Sequence, residues 1–221
     1  MYKTILFDLD GTLLDTTIGV IEAVKITIEQ LGLPMPSSEI LSTFVGPPMQ
    51  SSFMKHFGME PEKALECANL FRANYKKHSL FSAEPYPGVL ELLRALKAKG
   101  YKIAVATYKS HENAMTILDK FGISQYCNFA MGSDLEGRFT KTDIVNECIK
   151  QLSADRTSTV LIGDSSADSR GAYEADIDFI ALTYGFGFKS LADLQNIPHV
   201  AVCKNIEELA EYLSVALEKV C

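Results

Sequence analysis

Residues 5–15 read ILFDLDGTLLD. Asp8 and Asp10 lie two residues apart in an otherwise apolar run, and Gly11 and Thr12 follow at once. A carboxylate in an apolar strand is costly without a partner. Side chains repeat every second residue along a strand, so both acids are expected on one side of it. A second acidic pair, Asp164 and Asp168, falls in GDSSAD at residues 163–168, again after an apolar run. Four carboxylates gathered at one site would repel: two unit charges about 4 Å apart cost about 4 kcal/mol at an effective dielectric of about 20. A hard divalent cation relieves that repulsion, and an oxygen donor set without His or Cys favours Mg2+.

Other residues of the right type occur at comparable places. Thr107, Tyr108 and Lys109 finish the run YKIAVAT and its continuation, and Lys141 opens the helix pattern KTDIVNECIKQL. In an open α/β sheet, ligands bind beyond the carboxyl ends of the strands. All these residues are therefore expected on one edge of one sheet. Taken singly, each has a plainer explanation. Asp10-Gly11 could be a turn, Ser165 or Asp168 a helix cap, Lys141 a solvated lysine, and Thr107 an ordinary strand end. Their order along the chain favours the joint explanation.

The elements that must position them alternate. Apolar runs KTILFDL, YKIAVAT, YCNFAMGS, STVLIGD, DFIALTYG and HVAVC are separated by helix-length amphipathic segments, and the chain closes with the helix pattern IEELAEYLSVALEKV. This predicts a Rossmann-like, doubly wound α/β core with a parallel sheet. Residues 16–84 break the rhythm with helix patterns alone, so an all-helical domain is expected there, inserted between core segments 1–15 and 85–221. In its first helix Val20, Ile21, Val24, Ile28 and Leu31 are expected on one side. The linkers DTT at 15–17 and EPYPG at 84–88 would form a hinge.

Composition narrows the function. Of 221 residues, 28 are acidic and 21 are Lys or Arg, a formal net charge of −7, so no broad basic surface for a nucleic-acid polymer is expected. No run approaches the ~20 apolar residues of a membrane span. The five cysteines form no CxxC pair and the four histidines no metal-binding spacing. These features, and an N-terminus too short before Asp8 for a secretory segment, predict a reduced, cytoplasmic protein.

DLDGT, Thr107 after an apolar strand, Lys141, and GDSSAD together resemble the motifs of the haloacid dehalogenase superfamily. The helical insert resembles the family's small α-helical cap, and the likeness covers essentially the whole chain. Within the superfamily the chain is most similar to the phosphoglycolate phosphatase-like and β-phosphoglucomutase-like group. True dehalogenases lack the second acid, here Asp10. The resemblance implies that Asp8 attacks phosphorus and that Asp10 serves as acid and then base. It implies Mg2+ on the Asp8 carboxylate, the Asp10 carbonyl and Asp164, with Asp168 orienting a bound water or Lys141. Thr107, and the amides around Gly11 and Thr12, would bind phosphoryl oxygens. Lys141 would balance the charge, with Lys109 a rival for that role. Tyr108 and Gly46, the latter in the cap loop FVGPPMQ, would contact substrate.

Two departures stand out. FTKTDIV lacks the Lys-Pro of many relatives, and GDSSAD differs from the commoner GDTxxD wording. The implied activity is a Mg2+-dependent phosphatase acting on a small phosphorylated metabolite, as a monomer or homodimer. The alternatives are a phosphomutase, a pyrophosphatase or 5′-nucleotidase of the same superfamily, and a binding module without catalysis.

Overall fold

The computed structural model describes residues 2–134 and 138–217. Cys221 and the last residues of the expected final helix lie outside that range. The chain divides into two units, Met1–Asp15 with Pro85–Cys221, and Thr16–Glu84. Among the described residues no helix is long and apolar enough to cross a membrane.

The first unit is built on a parallel sheet. Its strands are β1 (Thr4–Phe7), β2 (Lys102–Ser110), β3 (Phe129–Ser133), β4 (Thr159–Gly163), β5 (Asp178–Leu182) and β6 (Ala201–Cys203). They lie in the order β3-β2-β1-β4-β5-β6. β1 is central: Phe7 is in register with Val105 of β2 and with Ile162 of β4. Burial on both faces explains why these strands read as continuous apolar runs.

Helices α5 (Val89–Ala98), α6 (His111–Lys120), α7 (Lys141–Gln151), α8 (Ser166–Glu174) and α9 (Ile206–Tyr212) belong to this unit. Ile144, Val145 and Cys148 of α7 and Ala172 of α8 pack on Leu6, Ala104 and Leu161 of the sheet. Helix α5 buries Leu92, Leu93 and Leu96.

The second unit holds α1 (Thr17–Gln30), α2 (Ser38–Ser42), α3 (Met49–Phe57) and α4 (Pro61–Asn74), followed by a π-helical turn, Tyr75–Ser79. Its interior holds Ala23, Val24, Ile28, Phe53, Ala68 and Phe71. The Asn74 amide, 5% exposed, donates to Thr27 Oγ1 and Gln30 Oε1, each at 3.0 Å.

Three local expectations are corrected. Strand β1 stops at Phe7, so Asp8 and Asp10 do not share a side by pleat. The Asp8 amide still donates to Ile162 O at 2.9 Å, and then the chain turns, with the amides of Leu13 and Leu14 both reaching Leu9 O. In α1, burial falls on Gly19, Ala23, Val24, Thr27 and Ile28, while Val20, Ile21 and Leu31 are only partly covered. Close contact with the π-helical turn and the residues after it selects the small face: a Cβ on Gly19 would meet Ser79 O, and Gly19 N donates to Ser82 O at 2.9 Å. Helix α9 ends at Tyr212 although the apolar period continues. Ser214 takes a left-handed φ of 55°, and Ser214 N and Val215 N donate to Glu211 O and Ala210 O, closing the helix without a glycine.

Gly19 tests the packing of the helical unit. A Cβ there would lie 2.5 Å from Ser79 O and 2.8 Å from Ser82 O. Alanine ordinarily gains up to about 1 kcal/mol over glycine in a helix, but overpacking against fixed backbone costs about 1–3 kcal/mol. Gly19→Ala is therefore expected to lower the thermal midpoint, and a raised midpoint would show that this contact yields.

Candidate active site

The centre of the site is a lysine out of water. Lys141 is the first residue of α7, and its side chain is 3% exposed. Thr140 caps the helix and Asp143 reaches back to it in a reciprocal capping box, which fixes where Lys141 begins. A cation at a helix N-terminus opposes the helix dipole, and a buried lysine needs partners. Lys141 Nζ donates to Asp8 Oδ1 at 2.7 Å and to Asp168 Oδ1 at 2.5 Å. Asp168 also completes the cap of α8, its Oδ2 accepting from Ser165 N at 3.0 Å and Ser165 Oγ at 2.6 Å. One carboxylate thus ties the start of α8 to the start of α7.

Asp164 directly follows β4 and is 2% exposed. Its Oδ2 accepts from the amides of Phe186 (2.6 Å) and Gly187 (3.0 Å), and its Oδ1 from Thr12 Oγ1 at 3.2 Å. Gly11 lies against it with φ +84°, where a Cβ would sit 2.6 Å from Asp164 Oδ2. Position and backbone both require glycine there.

Asp8, Asp164 and Asp168 each offer one oxygen within 4.8 Å of the others, and all three are buried. Asp10 is outside this cluster. Its carboxylate accepts from Lys109 Nζ through both oxygens at 3.0 Å. The expected gathering of four carboxylates is therefore three plus one.

The remaining expected residues are placed as follows. Thr107 is buried, with Oγ1 accepting from Lys109 N at 3.1 Å. The Tyr108 hydroxyl accepts from Lys141 N at 2.8 Å, and Lys141 Nζ stands 5.7 Å from its ring centre. The Gly11 and Thr12 amides, expected to face a phosphate, donate within the turn to Leu14 O (2.8 Å) and Leu9 O (3.3 Å). Gly46, at φ +102°, belongs to the helical unit, between α2 and α3. Between the two rival lysines, Lys141 is the one on Asp8, whereas Lys109 is on Asp10.

Sequence inspection passed over one segment, the loop after β5. Tyr184 OH donates to Thr12 O at 2.7 Å, and the Phe186 and Gly187 amides hold Asp164. Its only signal is the glycine pair in TYGFG at a strand end.

Burial pushes the Asp8 carboxyl up to about 8, with the Asp168 and Asp164 charges adding and Lys141 opposing. Burial likewise raises Asp164 to about 6, with Asp168 adding and the loop amides and Thr12 hydroxyl opposing. Burial works against the Lys141 ammonium, but Asp168 and Asp8 together outweigh it and raise its pKa. Buried, destabilised carboxylates with oxygen donors alone are the chemistry of a hard divalent cation site, and the residues present fit one.

The model of the haloacid dehalogenase-like hydrolase family matches residues 5–182. The tyrosine-protein kinase PtkA of Mycobacterium tuberculosis is 32% identical over 214 residues, 96% of this chain and 73% of its own length. A 5′-nucleotidase of Pseudomonas aeruginosa is 32% identical over 187 residues, covering 84% of this chain and 85% of that protein. The solved structure of a predicted phosphatase from Clostridium acetobutylicum superposes with a TM-score of 0.88 at 31% identity, covering 97% of this chain and 99% of that one. The chain therefore belongs to the haloacid dehalogenase-like hydrolases, as a phosphatase of that superfamily.

The raised carboxyl groups set a pH dependence for cation binding. Burial lets protons compete with a cation for Asp164 and Asp8, and that competition fades as pH rises. Affinity for Mg2+, measured calorimetrically on the metal-free protein, is expected to strengthen from pH 6 to 8 with proton release. Affinity flat across that range would show that these carboxylates are already ionised at pH 6.

Proposed function

We propose that this chain hydrolyses a small phosphorylated metabolite in a Mg2+-dependent reaction through an aspartyl-phosphate on Asp8. The observation that carries this reading is the buried Asp8 carboxylate held by Lys141 beside Asp164 and Asp168. A carboxylate so fixed is a nucleophile with a preset direction.

An Asp8 oxygen forms a bond to phosphorus while the ester P–O bond breaks; one Asp10 oxygen keeps Lys109 while the other, carrying a proton, gives it to the leaving oxygen. Water then attacks the phosphorus of the acyl phosphate. Asp10 takes a proton from that water, the bond to Asp8 breaks, and inorganic phosphate leaves with Asp8 restored. Lys141 offsets the negative charge on Asp8 and the phosphoryl group, and Thr107 donates to a phosphoryl oxygen. Mg2+ would be held by Asp8, the Asp10 carbonyl and Asp164, and supplies further neutralisation of phosphoryl charge when bound. Asp168 acts through Lys141. Thr12 secures Asp164, Gly11 leaves it room, and the amides around them are assigned to phosphoryl oxygens. Tyr108 is assigned to the substrate side.

The small helical unit and the 5′-nucleotidase relative favour a small phosphate ester as substrate. The kinase relative shares phosphoryl transfer but is named for a tyrosine acceptor, whereas this reading has water as acceptor.

Phosphate release from phosphoglycolate, nucleoside monophosphates, sugar phosphates and pyrophosphate is the direct test. Release is expected with Mg2+, to be lost with EDTA, and to fall to background in Asp8→Asn with the fold unchanged by circular dichroism. Retained turnover in Asp8→Asn would remove Asp8 as nucleophile. Sugar-phosphate isomerisation without phosphate release would replace the reading with a mutase, and label transfer from ATP to a tyrosine peptide with a kinase.

A further inference from the structure

Three of the four aspartates at this sheet edge are held by lysines. Lys141 contacts Asp8 and Asp168, and Lys109 contacts Asp10. The second contact is two-pronged, since Lys109 Nζ is 3.0 Å from each Asp10 oxygen. It is also sheltered: the Lys109 side chain is 8% exposed and that of Asp10 27%. A flexible lysine is seldom so covered unless its charge is matched.

The backbone prepares this contact. β1 ends at Phe7, in register with Val105, while β2 runs on to Ser110. Lys109 stands on that overhang, beside the turn that carries Asp10, and its amide is anchored on Thr107 Oγ1. Neighbouring Tyr108 reaches a different partner, the start of α7, as alternation along a strand allows. The turn itself is narrow, with Gly11 N donating to Leu14 O and a bridge between Asp10 and Leu14. It fixes the Asp10 backbone but leaves its side chain to be aimed by something else.

We infer that Lys109 is the positioning residue for Asp10: it holds that carboxylate outside the Asp8, Asp164 and Asp168 cluster, at the place where proton transfer with the leaving oxygen occurs. The cluster would otherwise compete for the same side chain, because a divalent cation attracts any nearby carboxylate. A lysine of its own keeps Asp10 for the proton and leaves Asp8 and Asp164 for the nucleophile and cation. This inference rests on the proposed acid–base role of Asp10.

The experiment is a double-mutant cycle between Lys109 and Asp10, read as single-turnover release of the leaving alcohol. The esters are p-nitrophenyl phosphate, whose leaving group needs little protonation, and an alkyl phosphate that the wild type hydrolyses. Lys109→Met is expected to slow the alkyl ester by about 10- to 100-fold, within the usual range for a lost acid–base contribution, and the aryl ester by no more than about threefold. In parallel steady-state assays KM is expected to stay level, and Lys109→Arg to recover most of the rate. Added to Asp10→Asn, Lys109→Met should cost nothing further. Lys109→Gln repeats the test if Lys109→Met does not fold.

Equal losses on both esters, or losses that add in the double variant, would overturn the inference and place Lys109 on the phosphoryl group or in the fold. Absence of leaving-group dependence in Asp10→Asn alone would overturn the acid–base role itself, and is distinguishable because it requires no Lys109 variant.

Discussion

An ammonium group sealed between two carboxylates organises this enzyme. Lys141 is almost wholly removed from water and lies at the end of its helix where a positive charge is least welcome. Asp8 and Asp168 make it tolerable, and Lys141 makes them tolerable in return. Removing one partner of such a buried group typically costs about 3–5 kcal/mol, because the other charge is left stranded. Three parts of the chain meet there: the turn after β1, the start of α7 and the start of α8. Their relative placement is fixed by charge as much as by the apolar contacts of Leu6, Ile144 and Ala172 beneath.

Around that group every acid has its own means of support. Asp168 is held by a helix cap as well as by Lys141, Asp164 by two loop amides and a threonine hydroxyl, and Asp10 by Lys109. The supports differ in kind, and so do the consequences. Amide dipoles stabilise a carboxylate without bringing a full positive charge, which leaves Asp164 able to meet a cation. A lysine brings a full charge and fixes where the side chain points. Phosphoryl transfer depends on such allocation, since it requires positioning and charge stabilisation more than covalent assistance.

The helical unit obeys a different logic. A small face of α1 is packed against the backbone of the π-helical turn, and one buried amide, Asn74, joins α4 to α1. Such contacts favour a particular arrangement of helices over general collapse, because a buried amide must find its partners.

Much of this could be seen in the residues alone. Apolar runs separated by amphipathic segments identify a parallel α/β sheet, because strands buried on both faces cannot alternate. Asp8, Thr107, Lys141 and Asp164 could be located from strand ends, because an open sheet gathers those ends on one edge. Helix starts at Lys141 and Ser166 carry local caps, which act over three residues and so survive in the sequence. Tertiary structure decided the rest. Lys109 rather than Lys141 meets Asp10, the carboxylates divide as three and one, and the loop of Tyr184 to Gly187 secures Asp164. Neither the end of α9 nor the buried face of α1 followed the apolar period, since a serine in the left-handed region and a close backbone contact overrode it. Periodicity and caps are properties of neighbours in the chain. The partner of a charge is chosen across more than a hundred residues, by distances that exist only after the sheet has formed.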